Sequence, residues 1–331
     1  MTKSCKIPTG VKQAQLGCLI VLATLITPGC NSAELGRTGI DATLAALVPP
    51  DATMLAGARM DVIRSTPLYK KLLAQKRLEQ LDEFAQRTGF DPRRDVRELL
   101  MGSNGKESII AARGTFNAHA FQGVTKGSYK GYTLYTRDAG GVALIDSSTA
   151  VAGNLPALRA VLDRYQAGGR SGPAELLSKA RQIPPENQLW SVSSGFENFI
   201  TGAIPQTGNA ANFGRILRSL ENTTAAADFR TGVNGVLNGL CRTEADAKNL
   251  GDAARGMAGL GRLSVPDNQP ELLRLWDGIQ VEQQQRTVKI TIVIPENLLE
   301  KLIDLVGTQP KLRMPISRPG WVQPRSALSS D

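Results

Sequence analysis

The sequence predicts an α+β protein made of two similar halves, each of antiparallel β-strands with packed helices, sharing one sheet or stacked face to face. Two observations carry this. Short strand-like runs joined by turn signals are interleaved with stretches of helical periodicity, the mixed order of helices layered on antiparallel sheets. The same order of elements then recurs. Pro49-Pro50-Asp51-Ala52-Thr53-Met54-Leu55 lines up with Pro184-Pro185-Glu186-Asn187-Gln188-Leu189-Trp190, and each feeds a strand, as an internal duplication would produce.

The elements follow in order. Residues 31–48 are small and polar with a few apolar positions, as a tether with a short helix would be. Half 1 spans 49–183. In it Thr53 to Met60 reads as a buried strand, and Ser65-Thr66-Pro67 opens a helix with hydroxyl caps and proline in the first turn. Leu68, Leu72, Leu73, Leu78, Leu81 and Phe84 keep helical spacing up to Gly89. Phe90 to Asp95 turns into a predicted short helix over Val96 to Leu100. Ile109 to Phe116 is a strand, and Tyr132 to Tyr135 and Val142 to Ile145 pair through Asp138-Ala139-Gly140-Gly141. Thr149 to Ala152 is a strand and Leu155 to Tyr165 an amphipathic helix.

Half 2 spans 184–306. Phe213 to Leu220 reads as helix, and Ala225 to Phe229 and Gly235 to Leu240 as strands. Glu244 to Leu260 and Pro270 to Trp276 read as helices. Gly278 to Gln283 and Val288 to Ile294 form a hairpin, and Asn297 to Val306 is a closing helix. The tail 307–331 carries Pro310, Pro315, Pro319 and Pro324 without periodicity and is expected to be disordered.

The first thirty residues give an address. Lys3, Lys6 and Lys12 form a basic start, Leu16 to Ile26 an apolar run, and Gly29-Cys30 its end. About eleven apolar residues are too few to span a bilayer and describe a secretory signal. Gly29-Cys30 resembles a bacterial lipobox, with Thr27 and Pro28 where such boxes carry Leu and a small residue. It marks Cys30 as a lipidation site. The expected location is the cell envelope, with the membrane as a partner through the anchor at Cys30 and an envelope protein or cell-wall polymer as a further one; otherwise the chain is secreted.

Composition narrows the chemistry. The signal takes three of the 39 lysines and arginines and none of the 30 acids, leaving an excess of six scattered positive charges. Basic clusters interleaved with aromatics are missing, which argues against nucleic acid as a partner. Cys5 and Cys18 lie in the signal, so Cys241 is the one cysteine of the body and reads as a buried thiol. With His119 the only histidine, zinc and copper sites of the usual types have no ligand set, and no metal or cofactor is expected.

Candidate catalytic groups are few. Asp91 and Asp95 stand as carboxylates at one turn, beside Arg93 and Arg94, which could hold an anion. The simpler reading of Asp91-Pro92 is a helix cap with proline at the first position. Gly251, Gly256, Gly259 and Gly261 lack the ending of a phosphate loop and suit close helix packing. Ser191, Ser193 and Ser194 lack a hydrolase elbow. Trp190, Trp276 and Trp321 read as packing residues.

At Thr88-Gly89-Phe90-Asp91-Pro92-Arg93-Arg94-Asp95, with Ser65-Thr66-Pro67-Leu68-Tyr69, Lys130-Gly131-Tyr132-Thr133-Leu134-Tyr135 and Thr149-Ala150-Val151-Ala152-Gly153, the chain resembles a family of uncharacterised exported proteins common in acidobacteria. The resemblance covers Leu47 to Trp190 well and the second half loosely. It implies an envelope location and a globular α+β body, and it transfers no activity.

The functional expectation is a non-catalytic envelope lipoprotein with a binding or scaffolding role and no catalytic residue. The alternatives are a carboxylate-dependent periplasmic hydrolase built on Asp91 and Asp95, and a chaperone-like assembly factor exposing an apolar surface between the halves.

Overall fold

The computed structural model describes residues 40–74, 82, 85, 86, 90–116, 124–169, 172–195, 214–266 and 269–308. The signal with Cys30, most of the tether, Leu78, Leu81, Phe84, Gly89, His119, Trp321 and residues 309–331 of the Pro-rich tail lie outside them.

The described chain enters at Asp41. Its carboxylate accepts hydrogen bonds from the Thr43 and Leu44 amides at 2.7 and 3.0 Å and caps α1 (Ala42–Leu47). Leu44, Leu47 and Val48 are fully buried. The sequence reading runs a tether to residue 48. The structure has the short helix of that reading, but residues 41–48 belong to the core, because three large apolar side chains there find a place under the sheet.

From Thr53 the chain forms β1 (Met54–Arg59), α2 (Met60–Ile63) and α3 (Pro67–Ala74), then α4 (Pro92–Asp95), β2 (Val96–Ser103) and β3 (Ser108–Gly114). The helix expected over 96–100 is instead the start of β2. Val96, Leu99, Leu100 and Met101 are all buried, since a central strand is covered on both faces and loses its alternation. Next come β4 (Thr125–Tyr129), which the sequence reading missed, β5 (Tyr132–Arg137), β6 (Gly140–Asp146) and β7 (Thr149–Asn154). Lys130 and Gly131 join β4 to β5 with φ of 47° and 87°, the left-handed pair that a two-residue hairpin loop requires. Asn154 caps α5 (Leu155–Gln166), and α6 (Ala174–Ala180) follows.

The second half runs β8 (Leu189–Ser194), a helical turn over 214–218, β9 (Leu220–Asp228), β10 (Gly232–Cys241), α7 (Glu244–Leu263), α8 (Pro270–Asp277), β11 (Ile279–Gln284), β12 (Thr287–Pro295) and α9 (Glu296–Thr308).

All twelve strands make one antiparallel sheet in the order β11-β12-β10-β9-β8-β1-β2-β3-β7-β6-β5-β4. The protein is α+β. Outward from the central β1–β8 pair, one half runs β1, β2, β3, β7, β6 and the other β8, β9, β10, β12, β11. The path is the same. Where the first half inserts the β4–β5 hairpin, the second inserts α7 and α8. The closing helices differ: α5 packs with α1 on one face, whereas α9 packs beside α3 on the other.

One row of paired residues crosses every strand: Ile279, Ile292, Gly235, Ala227, Leu189, Ala58, Leu99, Ala112, Ala150, Leu144, Thr133 and Ser128. It lies near the end of the sheet where β1 finishes, called the lower end below. Leu55, Leu100, Ile109, Val151, Leu158 and Val192 form the core on the α1–α5–α6 face. Met60, Tyr69, Phe90, Leu99 and Phe116 form the core on the opposite face. There the rings of Phe90 and Phe116 stack 5.8 Å apart. Under α7 sits a smaller cluster of Leu220, Cys241, Ala247, Leu250 and Val288.

The halves join at a tight contact. Gly57 of β1 lies opposite Trp190 of β8, and a Cβ on Gly57 would come within 2.3 Å of the indole carbons. Gly57→Ala is expected to lower unfolding free energy by about 1–3 kcal/mol in chemical denaturation through overpacking. Adding Trp190→Leu should recover part of that loss. Equal losses with and without Trp190 would place the strain elsewhere.

Candidate functional site

The turn at 91–95 is built as a cap. Asp91 Oδ1 accepts from the Arg93 amide at 3.0 Å and from Arg93 Nε at 2.7 Å. Asp95 Oδ2 accepts from the Asp91 amide at 2.9 Å. Arg94 Nε donates to Asp95 Oδ1 at 2.8 Å, and Arg93 pairs also with Asp82. The two acids and two arginines are thus brought together, and each carboxylate is taken up by the turn. Beside it Arg64 and Tyr69 are buried, and Arg64 Nε and Nη2 and the Tyr69 hydroxyl have no hydrogen-bond partner among the described residues. Burial pulls the Arg64 guanidinium below its ordinary value, while the charges of Asp61, Asp95 and Asp91 act against that.

The other residues singled out are structural. Cys241 is free and fully buried, and burial pushes its thiol up. Ser193 bonds to Thr223 at 2.7 Å. Gly261 receives the Trp276 ring, the close packing its small size allows, and Gly256 and Gly259 face open space. Among the described residues no group of three His, Cys, Asp or Glu side chains is placed to hold a metal.

A second cluster was not legible in the sequence. At the lower end Arg59, Glu98, Arg113 and Thr149 lie side by side on β1, β2, β3 and β7, on the face that carries α1. Arg113 grips Asp41 through Nε at 2.8 Å and Nη2 at 3.1 Å, a two-pronged charge-assisted contact. It also reaches Ser148 and Thr149. Arg59 donates to the Pro185 carbonyl at 2.6 Å. Gln188 is buried, receives the Phe229 amide at 2.7 Å and donates to Asp228 at 2.8 Å. It thereby continues the polar row into the second half.

Glu98 sits between the two arginines, and no hydrogen bond holds its carboxylate among the described residues. Burial, with repulsion from Asp41 and Asp61, pushes it up to about 7 against the pull of Arg113 and Arg59. Asp228 goes the other way, held down to about 2 by Arg230 against its partial burial, with help from Gln188. The lower end therefore carries one carboxylate that changes charge near neutrality. The sequence hid it because Glu98 falls in the stretch read as helix. Read as a strand, Glu98 would share a face with Leu100 and Gly102, an acid on an otherwise apolar face.

A third feature is on α7. Met257, Leu260 and Leu263 recur every third residue along its last two turns and are 49, 66 and 83% exposed. Arg255 and Arg262 lie on the opposite side of these turns, donating to the Val281 carbonyl at 3.2 Å and pairing with Asp277 respectively.

No family model matches this sequence, and neither does any curated protein. Among solved structures, crystal form III of TP0453 is similar over 80% of this chain and 98% of its own, at 11% identity and a TM-score of 0.46. Crystal form I of TP0453 gives 79% and 96%, 12% identity and a TM-score of 0.43. Likeness at this level carries no argument about activity.

Two measurements test the geometry. Between the ordinary carboxylate value of 4.5 and about 7 the folded state holds a proton on Glu98 that the unfolded chain has released. Glu98 therefore makes stability fall as pH rises through that window. Glu98→Gln should leave the chain more stable than wild type by up to about 3 kcal/mol at pH 8 and close to it at pH 4.5; parallel pH profiles would contradict this. Asp91→Ala should cost about 1 kcal/mol by loss of the cap, read by thermal unfolding, and Asp91→Asn should restore most of it.

Proposed function

We propose that this chain is an exported envelope protein, anchored through lipid on Cys30, with a binding or scaffolding role and no catalytic one. The observation that supports it best is the stripe Met257–Leu260–Leu263. The folded body leaves large aliphatic side chains in water on one helix, a pattern that marks an interaction surface. The signal-like segment and lipobox-like Gly29-Cys30 supply the address. No described helix is long and apolar enough to cross a membrane, so attachment through Cys30 is the route this reading uses.

The shared strand path of the halves supports an origin by internal duplication, with the central β1–β8 pair as the junction between copies. The Asp91–Asp95 turn contributes a cap to this reading and no reaction. The assembly-factor reading expects an apolar surface between the halves; the exposed stripe lies on α7 instead, where that reading would have it take a client protein in place of a fixed partner.

Radiolabelled palmitate is expected on the wild-type chain and not on Cys30→Ala, with the variant leaving the membrane fraction. Label on both, or on neither, would overturn the anchor.

A further inference from the structure

We infer that the lower end of the sheet is seated on a bilayer, with the last two turns of α7 as its apolar foot. This deepens the anchored reading and rests on it, naming the lipid surface as what the stripe meets.

The direction of α7 is fixed by its contacts. Gly251 lies against Gln283, and Arg255 Nη1 reaches the Val281 carbonyl at 3.2 Å. Gly261 receives Trp276, which is followed by Asp277, Gly278 and the start of β11 at Ile279. The helix therefore runs down β11 toward Ile279, the β11 member of the row that marks the lower end. Leu260 and Leu263 are at its tip.

The chain enters the body at the same end, since Asp41 is held by Arg113 in the polar row. Ten residues separate Cys30 from Asp41, a reach of at most about 35 Å. From β3, which holds Asp41, to β12 beside α7 there are six strand spacings, about 29 Å. The tether's reach therefore matches the separation of the two along the sheet.

The chemistry fits lipid better than protein. Met257 to Leu263 runs about 9 Å along one side of the helix, and interfacial helices bury an apolar side of this kind among the headgroups. Three aliphatic side chains are few against the roughly 20–30 residues a side of a stable protein interface. Residues 253–266 contain two arginines and no acid, and the one carboxylate given a partner at the tip, Asp277, is paired with Arg262.

The test uses the full chain, purified from membranes and incorporated into vesicles of phosphatidylethanolamine and phosphatidylglycerol. An environment-sensitive probe is placed on Leu263→Cys or, at the upper end of β11, on Gln284→Cys, with labelled wild type as the blank. The probe at 263 should shift to the blue and be quenched by brominated lipid at least about twice as strongly as the probe at 284. Adding Leu260→Ser should leave the melting temperature and the palmitate label unchanged and weaken that quenching. Equal quenching at both positions overturns the seat. So does a blue-shifted 263 probe before lipid is added in a chain that sediments as a dimer, because a second copy then covers the stripe. Palmitate on Cys30 with an unquenched 263 probe removes the seat and leaves the anchor; a quenched 263 probe without palmitate keeps the seat and removes the anchor.

Discussion

Strands β1 and β8 are the inner edges of the two halves, and either half alone would present a buried-type strand with its backbone donors and acceptors unpaired. Such an edge is an aggregation hazard in isolation. Pairing the two edges removes it and creates a core neither half could close. Val192 of β8 is buried together with Leu55 of β1 and the leucines of α5 and α6. Gly57 has no side chain, so Trp190 can lie across the junction. The register through this pair then sets the row that runs to both outer strands, which is why elements far apart in sequence share one lower end.

That shared end gives the polar row its character. Arg59, Glu98, Arg113 and Thr149 come from four strands, and Asp41 from a helix that precedes them all. Arg113 is taken up by Asp41 and by hydroxyls, and Arg59 gives one bond to a carbonyl, so neither donates to Glu98. A carboxylate with two cationic neighbours still sits high because burial and two nearby acids outweigh them. Position in the sheet, more than residue type, decides its protonation.

Most of the order of elements, the hairpins and the capping at Asp91 were readable because each rests on local chemistry: a turn residue, a cap or a period. The extent of α1's burial and the strand at Val96 were not. Val96-Arg97-Glu98-Leu99-Leu100 fits a helical turn as well as a doubly covered strand, and only its neighbours β1 and β3 decide between them. Glu98 went unseen for the same reason. The α7 stripe was half visible: Ala- and Gly-rich spacing signalled close packing, correct at Gly261 against Trp276, but nothing local tells which side of a helix stays wet.

The cores differ in mass. Among the described residues the face with α1 and α5 gathers twenty-one buried side chains, whereas the cluster under α7 has five. Cohesion therefore thins along the sheet from its middle toward β11. Regions with few buried apolar contacts open at lower free energy than the whole, so the outlying wing can loosen and re-form while the middle stays closed. The helix with the bare aliphatic tip is carried on that compliant margin, where adjustment to an uneven surface does not disturb the central junction.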